Sequence, residues 1–238
     1  TGDADIVTVP IQYLDQVKSL PDVQVKEGLD AQEIFAIIFN QHVKSGSHKY
    51  IGSGKLDGAG VPPDFFSNLE IRKAFNFAFD FETYIQDVFR GNAVQPVGPL
   101  PEGMPYYNPD QEMYHYDPAK AASLFREAYG GQLWNKGFKL LVPYPLDFTE
   151  CKGMVDILKY DLRRINPKFV IDTVPMTWDE FYGDLSQGIV ALTSVIWIND
   201  YPDPVNSCDP WLGSSGFYGQ HMNLGGVFDG YCQEGATT

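Results

Sequence analysis

Positive charge is scarce in this chain of 238 residues: 17 Lys plus Arg stand against 31 Asp plus Glu, a formal net charge of −14. Nucleic acids and anionic membrane surfaces are held by basic patches, so the composition argues against both as partners. No apolar run approaches the length of a membrane span. The opening residues, Thr1 to Asp5, show neither the basic nor the apolar stretch of an export signal, so such a signal is expected to be absent or already removed. Cysteine is sparse. Cys151, Cys208 and Cys232 have no Cys-x-x-Cys spacing and the four histidines are scattered, which speaks against a zinc site; no metal or cofactor is expected. The phosphate-binding loop is missing too, because Gly54-Lys55 is followed by Leu56 rather than Ser or Thr. Gly213-Ser214-Ser215-Gly216-Phe217 fails as a nucleophile elbow at its last position.

What is present is core-forming material. With 44% hydrophobic and 14% aromatic residues the chain buries a real core and is globular. Short strands are predicted at 5–9 and 23–25, with a helix from Pro10 to about Ser19 facing inward through Leu14 and Val17. The nearly continuous apolar run from Glu33 to Asn40 predicts a central strand buried on both faces. Residues 41–66, studded with glycines, read as an exposed loop insertion. Ser67 and Glu70 form a capping box for a helix carrying Ile71, Ala74, Phe75 and Ala78. Asp80 caps a second helix, ended by Gly91, and a stiff connection runs from Pro96 to Pro109.

Asp117-Pro118 starts a further helix, buried through Ala121, Leu124, Phe125 and Ala128 and stopped by Gly130-Gly131. A strand at 138–142, a long helix capped by Asp147 and Glu150, and a strand at 169–174 predict a crossover unit. Thr177 and Glu180 cap the helix that leads to the run Ile189 to Trp197. The expected fold is therefore mixed α/β, an α+β arrangement with helices flanking a mixed sheet that includes all four long runs. Residues 205–238 read as an irregular C-terminal segment.

The run ending at Trp197 leads into Ile198-Asn199-Asp200-Tyr201-Pro202-Asp203-Pro204. Prolines 202 and 204 lack backbone donors and restrict their predecessors, so the chain turns stiffly away from the sheet. A large aromatic ring and a carboxylate are thereby held at a strand end, where open α/β sheets place ligands. Two readings stand on local pattern: a ligand site, or Trp197 as core with Asp200 opening a turn.

Three segments resemble one family. Trp197-Ile198-Asn199-Asp200-Tyr201-Pro202-Asp203-Pro204 is similar to the W-x-x-D-Y-x-x-P segment of the extracellular solute-binding proteins serving oligopeptide and dipeptide ABC transporters. Asn68 to Glu82 resembles that family's helix ending A-I-D-R-E, followed by Val88, Gly91 and the loop Gly98-Pro99-Leu100-Pro101. Tyr116-Asp117-Pro118-Ala119-Lys120-Ala121 resembles its Y-D-P-x-K-A. Asn223 to Asp229 is similar to its N-x-x-x-F-D.

The resemblance implies one lobe of a two-lobed, type II periplasmic-binding-protein-like clamshell, with residues 1–238 as a single ligand-binding lobe from a longer protein. It implies recognition of a short peptide without catalysis. Asp200 would face the peptide's α-ammonium, Trp197 would line a side-chain pocket, and Tyr201 would assist. A membrane permease of the ABC type would be the protein partner, the binder a monomer, and its location extracytoplasmic, in the periplasm or on the cell surface. Relatives that take oligosaccharides or nickel complexes supply an alternative, and a hydrolase using Asp200 and Asp203 as paired carboxylates supplies another. In an exported protein Cys208 and Cys232 are expected to form a disulfide, leaving Cys151 free.

Overall fold

The structure is a computed structural model and describes residues 5–28, 31–44, 46, 48–213 and 215–222. Four strands and eight α-helical segments alternate along it. In chain order they are α1 (Leu14–Lys18), β1 (Glu33–Phe39), α2 (Leu69–Ala78), α3 (Phe81–Thr83), α4 (Pro118–Glu127), α5 (Gln132–Lys136), β2 (Phe138–Pro145), α6 (Thr149–Ile165), β3 (Phe169–Met176), α7 (Trp178–Ser186), β4 (Leu192–Ile198) and α8 (Pro204–Leu212).

The four strands pair two by two. β1 runs antiparallel to β4, from Glu33 opposite Ile198 to Phe39 opposite Leu192, and β2 runs parallel to β3 from Phe138 beside Phe169. A single ladder of four was expected, and β2 explains why it does not form among the described residues. Its edge away from β3 presents Leu141, Pro143 and Pro145; the two prolines have no N–H, and the Leu141 N–H is taken by the Tyr50 carbonyl at 3.1 Å. β4 approaches that edge through a side chain instead, the Thr193 hydroxyl donating to the Pro143 carbonyl at 2.7 Å. β1, expected to be buried on both faces, is mostly half-buried and pairs only with β4 among the described residues.

The larger core lies between β2, β3 and the helices. Phe65, Phe66, Phe75, Phe125, Phe138 and Phe169 are each at most 1% exposed, and Phe138 stacks on Phe169 with ring centres 4.7 Å apart. α6 covers the strands with Met154, Val155, Leu158 and Leu162. Its start is tied to β4, where the Ser194 hydroxyl donates to the Cys151 carbonyl at 2.8 Å; burial pushes the Cys151 thiol up to about 12, so it stays a neutral core group.

Several helix starts follow local chemistry. Asp117 accepts from the Lys120 N–H at 2.9 Å with Pro118 at the first helical position, Asp80 accepts from Thr83, and Thr177 with Glu180 forms a reciprocal capping box. Two caps differ from expectation. Asn68, not Ser67, caps α2, its side-chain oxygen receiving the Glu70 and Ile71 N–H groups, because the capping oxygen must precede the first helical turn directly. α6 begins after Phe148 with no side-chain cap, so Asp147 does not serve. Residues 5–9 and 23–25 are not strands, and Leu14 and Val17 of α1 are only half-buried.

The segment 41–66 is not an exposed loop. Val43, Tyr50, Ile51, Val61, Phe65 and Phe66 are buried, and the glycines permit a close approach of backbones: a Cβ at Gly60 would stand 2.3 Å from the Ile51 carbonyl oxygen. Tyr50 hydrogen-bonds Asp184 of α7 and burial pushes its phenol up to about 12. Nor is the segment 205–238 irregular throughout, since α8 occupies its first eight residues.

Candidate functional site

β4 is buried from Leu192 to Ile196 and emerges at Trp197, which is half-buried. Asp203 then caps α8, its carboxylate accepting from the Val205 N–H at 2.8 Å with Pro204 at the first helical position. The chain from Trp197 to Asn206 is closed by one residue. The Asn206 carbonyl accepts from the Trp197 indole N–H at 2.8 Å, and the Asn206 side-chain oxygen accepts from the Asp200 backbone N–H at 2.9 Å. Its amide nitrogen stands 3.5 Å from the Asp200 carboxylate. Ring and carboxylate are thus set by a common residue that sequence reasoning did not single out. The signal was present, since Asp203-Pro204 is the same helix opening that Asp117-Pro118 displays.

Asp200 is exposed, and none of the ion pairs among the described residues involves it. Tyr201 is 54% exposed. The structure therefore brings Trp197 and Asp200 together and leaves Tyr201 outside that group. Asp203, the second carboxylate of the hydrolase alternative, uses one of its oxygens to cap α8. Asn199 fastens the loop to the start of β1 through the Gln32 carbonyl, at 3.0 Å, and to α8 through the Ser207 hydroxyl, at 2.6 Å.

One face of the ribbon end is aromatic. Trp197 lies 5.8 Å from Phe217, which stacks at 5.4 Å on Tyr182, and Tyr182 stacks in turn on Trp178. Trp178 and Tyr182 are more than a third exposed. Behind this row Tyr218 donates its hydroxyl to the Ile196 carbonyl at 2.6 Å and stacks on Trp211; burial pushes its phenol well above the usual range. His221 packs edge-on against Tyr182 and Phe217, and burial lowers its pKa.

The other face carries acid. Glu33 stands directly opposite Ile198 in the ladder, and its pKa is raised by partial burial and by the repulsion of Glu150 in the first turn of α6. A separate hollow of about 280 Å³ lies away from this site, lined by Tyr116, Asp161 and Arg164 among others. Burial pushes the Asp161 carboxyl up to about 6 while it accepts the Asp80 N–H at 3.1 Å. No group of three His, Cys, Asp or Glu among the described residues is placed to hold a metal ion. Cys208 is half-buried; Cys232 and the stretch Asn223 to Asp229 lie outside the described residues, so the expected disulfide lies outside them too.

A half-buried tryptophan and an exposed carboxylate thus stand at a strand end of this α/β unit. Residues 1–219 match the family described as bacterial extracellular solute-binding proteins, family 5, middle region, and the chain belongs to that family. It is 29% identical over 159 residues to heme-binding protein A of Haemophilus influenzae, covering 66% of this chain and 28% of that protein. It is 26% identical over 143 residues to the dipeptide-binding protein of Escherichia coli, covering 58% and 26%. Its fold superposes on the crystal structure of a dipeptide-binding protein from Pseudoalteromonas sp. SM9913 in complex with Met-Leu, with a TM-score of 0.69 and 23% identity over 90% of this chain and 38% of that one. The chain thus spans under a third of the length of these two sequence relatives. Among the described residues no helix is long and apolar enough to cross a membrane.

Proposed function

We propose that this chain is a ligand-binding lobe of the substrate receptor of an ABC importer, and that its ligand is a short peptide enclosed between this lobe and a second one. The carrying observation is the exposed Asp200 carboxylate, outside every ion pair among the described residues and tied with Trp197 to Asn206. A peptide's α-ammonium loses water on enclosure and needs an anionic acceptor, which Asp200 supplies. Trp197 offers a broad apolar wall tolerant of different side chains. Tyr201, exposed in the lobe by itself, makes its contact only on closure. The chemistry is recognition by lobe closure, with no bond broken. The receptor works as a monomer outside the cytoplasm, in the periplasm or anchored at the cell surface, and delivers its peptide to a membrane permease. Its family membership and the dipeptide-binding relatives support this reading.

The lobe by itself leaves Asp200 in water, where an ion pair is worth about 0 to 1 kcal/mol. In the complete protein, removing one partner of an enclosed charge pair costs about 2 to 5 kcal/mol, so Asp200→Ala is expected to weaken a free-amine peptide by roughly 30-fold or more. An N-acetylated peptide binds the wild type comparably weakly and responds much less to the substitution. Calorimetry with both peptides and both proteins closes the cycle. Equal weakening of the two peptides by Asp200→Ala would remove the carboxylate from its assigned role.

A further inference from the structure

The hollow beside α4 is lined from three places: Tyr116 on the approach to α4, Pro118 and Ala119 in its first turn, and Asp161, Arg164 and Ile165 in the last turns of α6. None of these residues belongs to the ribbon end. At about 280 Å³ the hollow has space for on the order of nine waters, enough for a small molecule.

Its lining carries charge of both signs. Asp161 is 3% exposed while Arg164 is exposed, so the hollow is acidic at its inner end and basic at its mouth. The two stand one turn apart on one face of α6, yet neither enters an ion pair among the described residues. Arg164 lies instead over the Tyr160 ring, 5.5 Å from its centre. At the inner end one Asp161 oxygen accepts the Asp80 N–H at 3.1 Å, the Tyr116 hydroxyl faces the carboxylate, and the Asp80 carboxylate adds negative charge. At the mouth the start of α4 adds the opposite polarity, since a helix leaves its first N–H groups without intrahelical acceptors. Asp117 serves the N–H of Lys120, and Ala119 stands at the hollow.

Opposite charges that share a hollow without pairing match the two ends of a dipolar ligand. An ammonium at the inner end would offset the burial that holds the Asp161 carboxyl up at about 6. A carboxylate at the mouth would meet the Arg164 guanidinium and the N–H groups that open α4. In a free α-amino acid both groups sit on one carbon, whereas each added residue of an extended peptide moves them about 3.5 Å farther apart. Pro118, Ala119 and Ile165 supply an apolar wall for the side chain.

We propose that this hollow is a second binding site, separate from the one at Asp200, and that it takes a free apolar α-amino acid with its ammonium on Asp161 and its carboxylate between Arg164 and the start of α4. The site reads single amino acids, independently of what occupies the ribbon end.

The test titrates L-leucine, N-acetyl-L-leucine and L-leucinamide by calorimetry into the complete receptor as wild type, Asp161→Asn, Arg164→Gln and Asp200→Ala. L-leucine is expected to bind the wild type and Asp200→Ala alike, and to bind Asp161→Asn and Arg164→Gln about tenfold or more weakly, because each lacks one charged partner. The two derivatives, each missing one charge, are expected to bind the wild type about tenfold or more weakly than L-leucine does. Circular dichroism verifies that the variants are folded, and the exposed position of Arg164 keeps the test open should Asp161→Asn fail to fold. Absence of L-leucine binding overturns the proposal. Binding lost in Asp200→Ala but kept in Arg164→Gln overturns it as well, by placing the amino acid at the ribbon end. Derivatives that bind as tightly as L-leucine overturn it too, because the charged termini are then not what is recognised.

Discussion

Two aromatic regions of this molecule use their rings for different work. In the β2–α6–β3 half the rings are mostly phenylalanines, Phe65, Phe66, Phe75, Phe125, Phe138 and Phe169 among them fully enclosed, with Tyr84, Tyr129, Trp134 and Tyr144 packed alongside. At the end of the β1–β4 ribbon they are mostly tryptophan and tyrosine, each with a polar handle, and several keep one face open. Trp197 and Tyr218 spend their donors on the carbonyls of Asn206 and Ile196, which orients them. The first region derives stability from removing apolar surface from water; the second gives up part of that stability to hold rings at fixed angles beside a carboxylate. Aromatic content alone does not distinguish the two regions; what differs is how many of their rings keep a face open to solvent.

That contrast is open to test, and the largest effect is expected in the phenylalanine stack. Phe138→Ala removes a ring with no exposure from contact with Phe65, Phe75 and Phe169 and is expected to cost about 3 to 5 kcal/mol in urea denaturation. A loss below 1 kcal/mol would mean that this half can collapse around the gap and is not the rigid partner of the comparison.

Next comes the buried acid of the same half. Asp161 has a folded pKa of about 6, above the unfolded value of about 3.9, so the native state binds more protons between those values and stability falls as pH rises through that window. Asp161→Asn removes the titration while keeping an acceptor for the Asp80 N–H. Its stability relative to wild type is expected to be higher at pH 7.5 than at pH 4 by about 2 to 3 kcal/mol. A pH-independent difference would show that Asp161 is effectively solvated. The smallest effect belongs to the ribbon end, where Asp203→Ala deletes the α8 cap and is expected to cost about 1 kcal/mol in the same denaturation. A cost matching that of Phe138→Ala would erase the distinction between the regions.

Much of the architecture was legible because its chemistry is local. Thr177 with Glu180, Asp117 with Pro118 and Asp80 each close hydrogen bonds within one turn, so their sequence spacing carries their geometry. The location of Trp197 and Asp200 at a strand end was legible for the same reason. The scaffold that joins them was not, because glycines after Leu212 and Pro210 inside the helix masked the Asp203-Pro204 opening of α8. The burial of 41–66 depends on partners far along the chain, Asp184 for Tyr50 and Phe138 for Phe65, which no local pattern contains. The split of the strands lay in plain view at Pro143 and Pro145, yet its effect depends on which edge those residues present.

The pairing of Glu33 with Ile198 has a consequence for the order in which the molecule is made. Phe138 through Met176 form a parallel pair and its crossover helix from neighbouring sequence, and this unit can close as soon as it leaves the ribosome. The β1–β4 ladder instead joins a strand near the start of the chain to one synthesised long afterwards, so it bears the entropy of a far larger loop and forms late. The loop bearing Trp197 and Asp200 is fastened to Gln32 only once that ladder exists. A nascent chain therefore acquires its compact hydrophobic half well before the loop bearing Trp197 and Asp200 is fixed, and the order of that loop reports that nearly the whole described chain has reached its final arrangement.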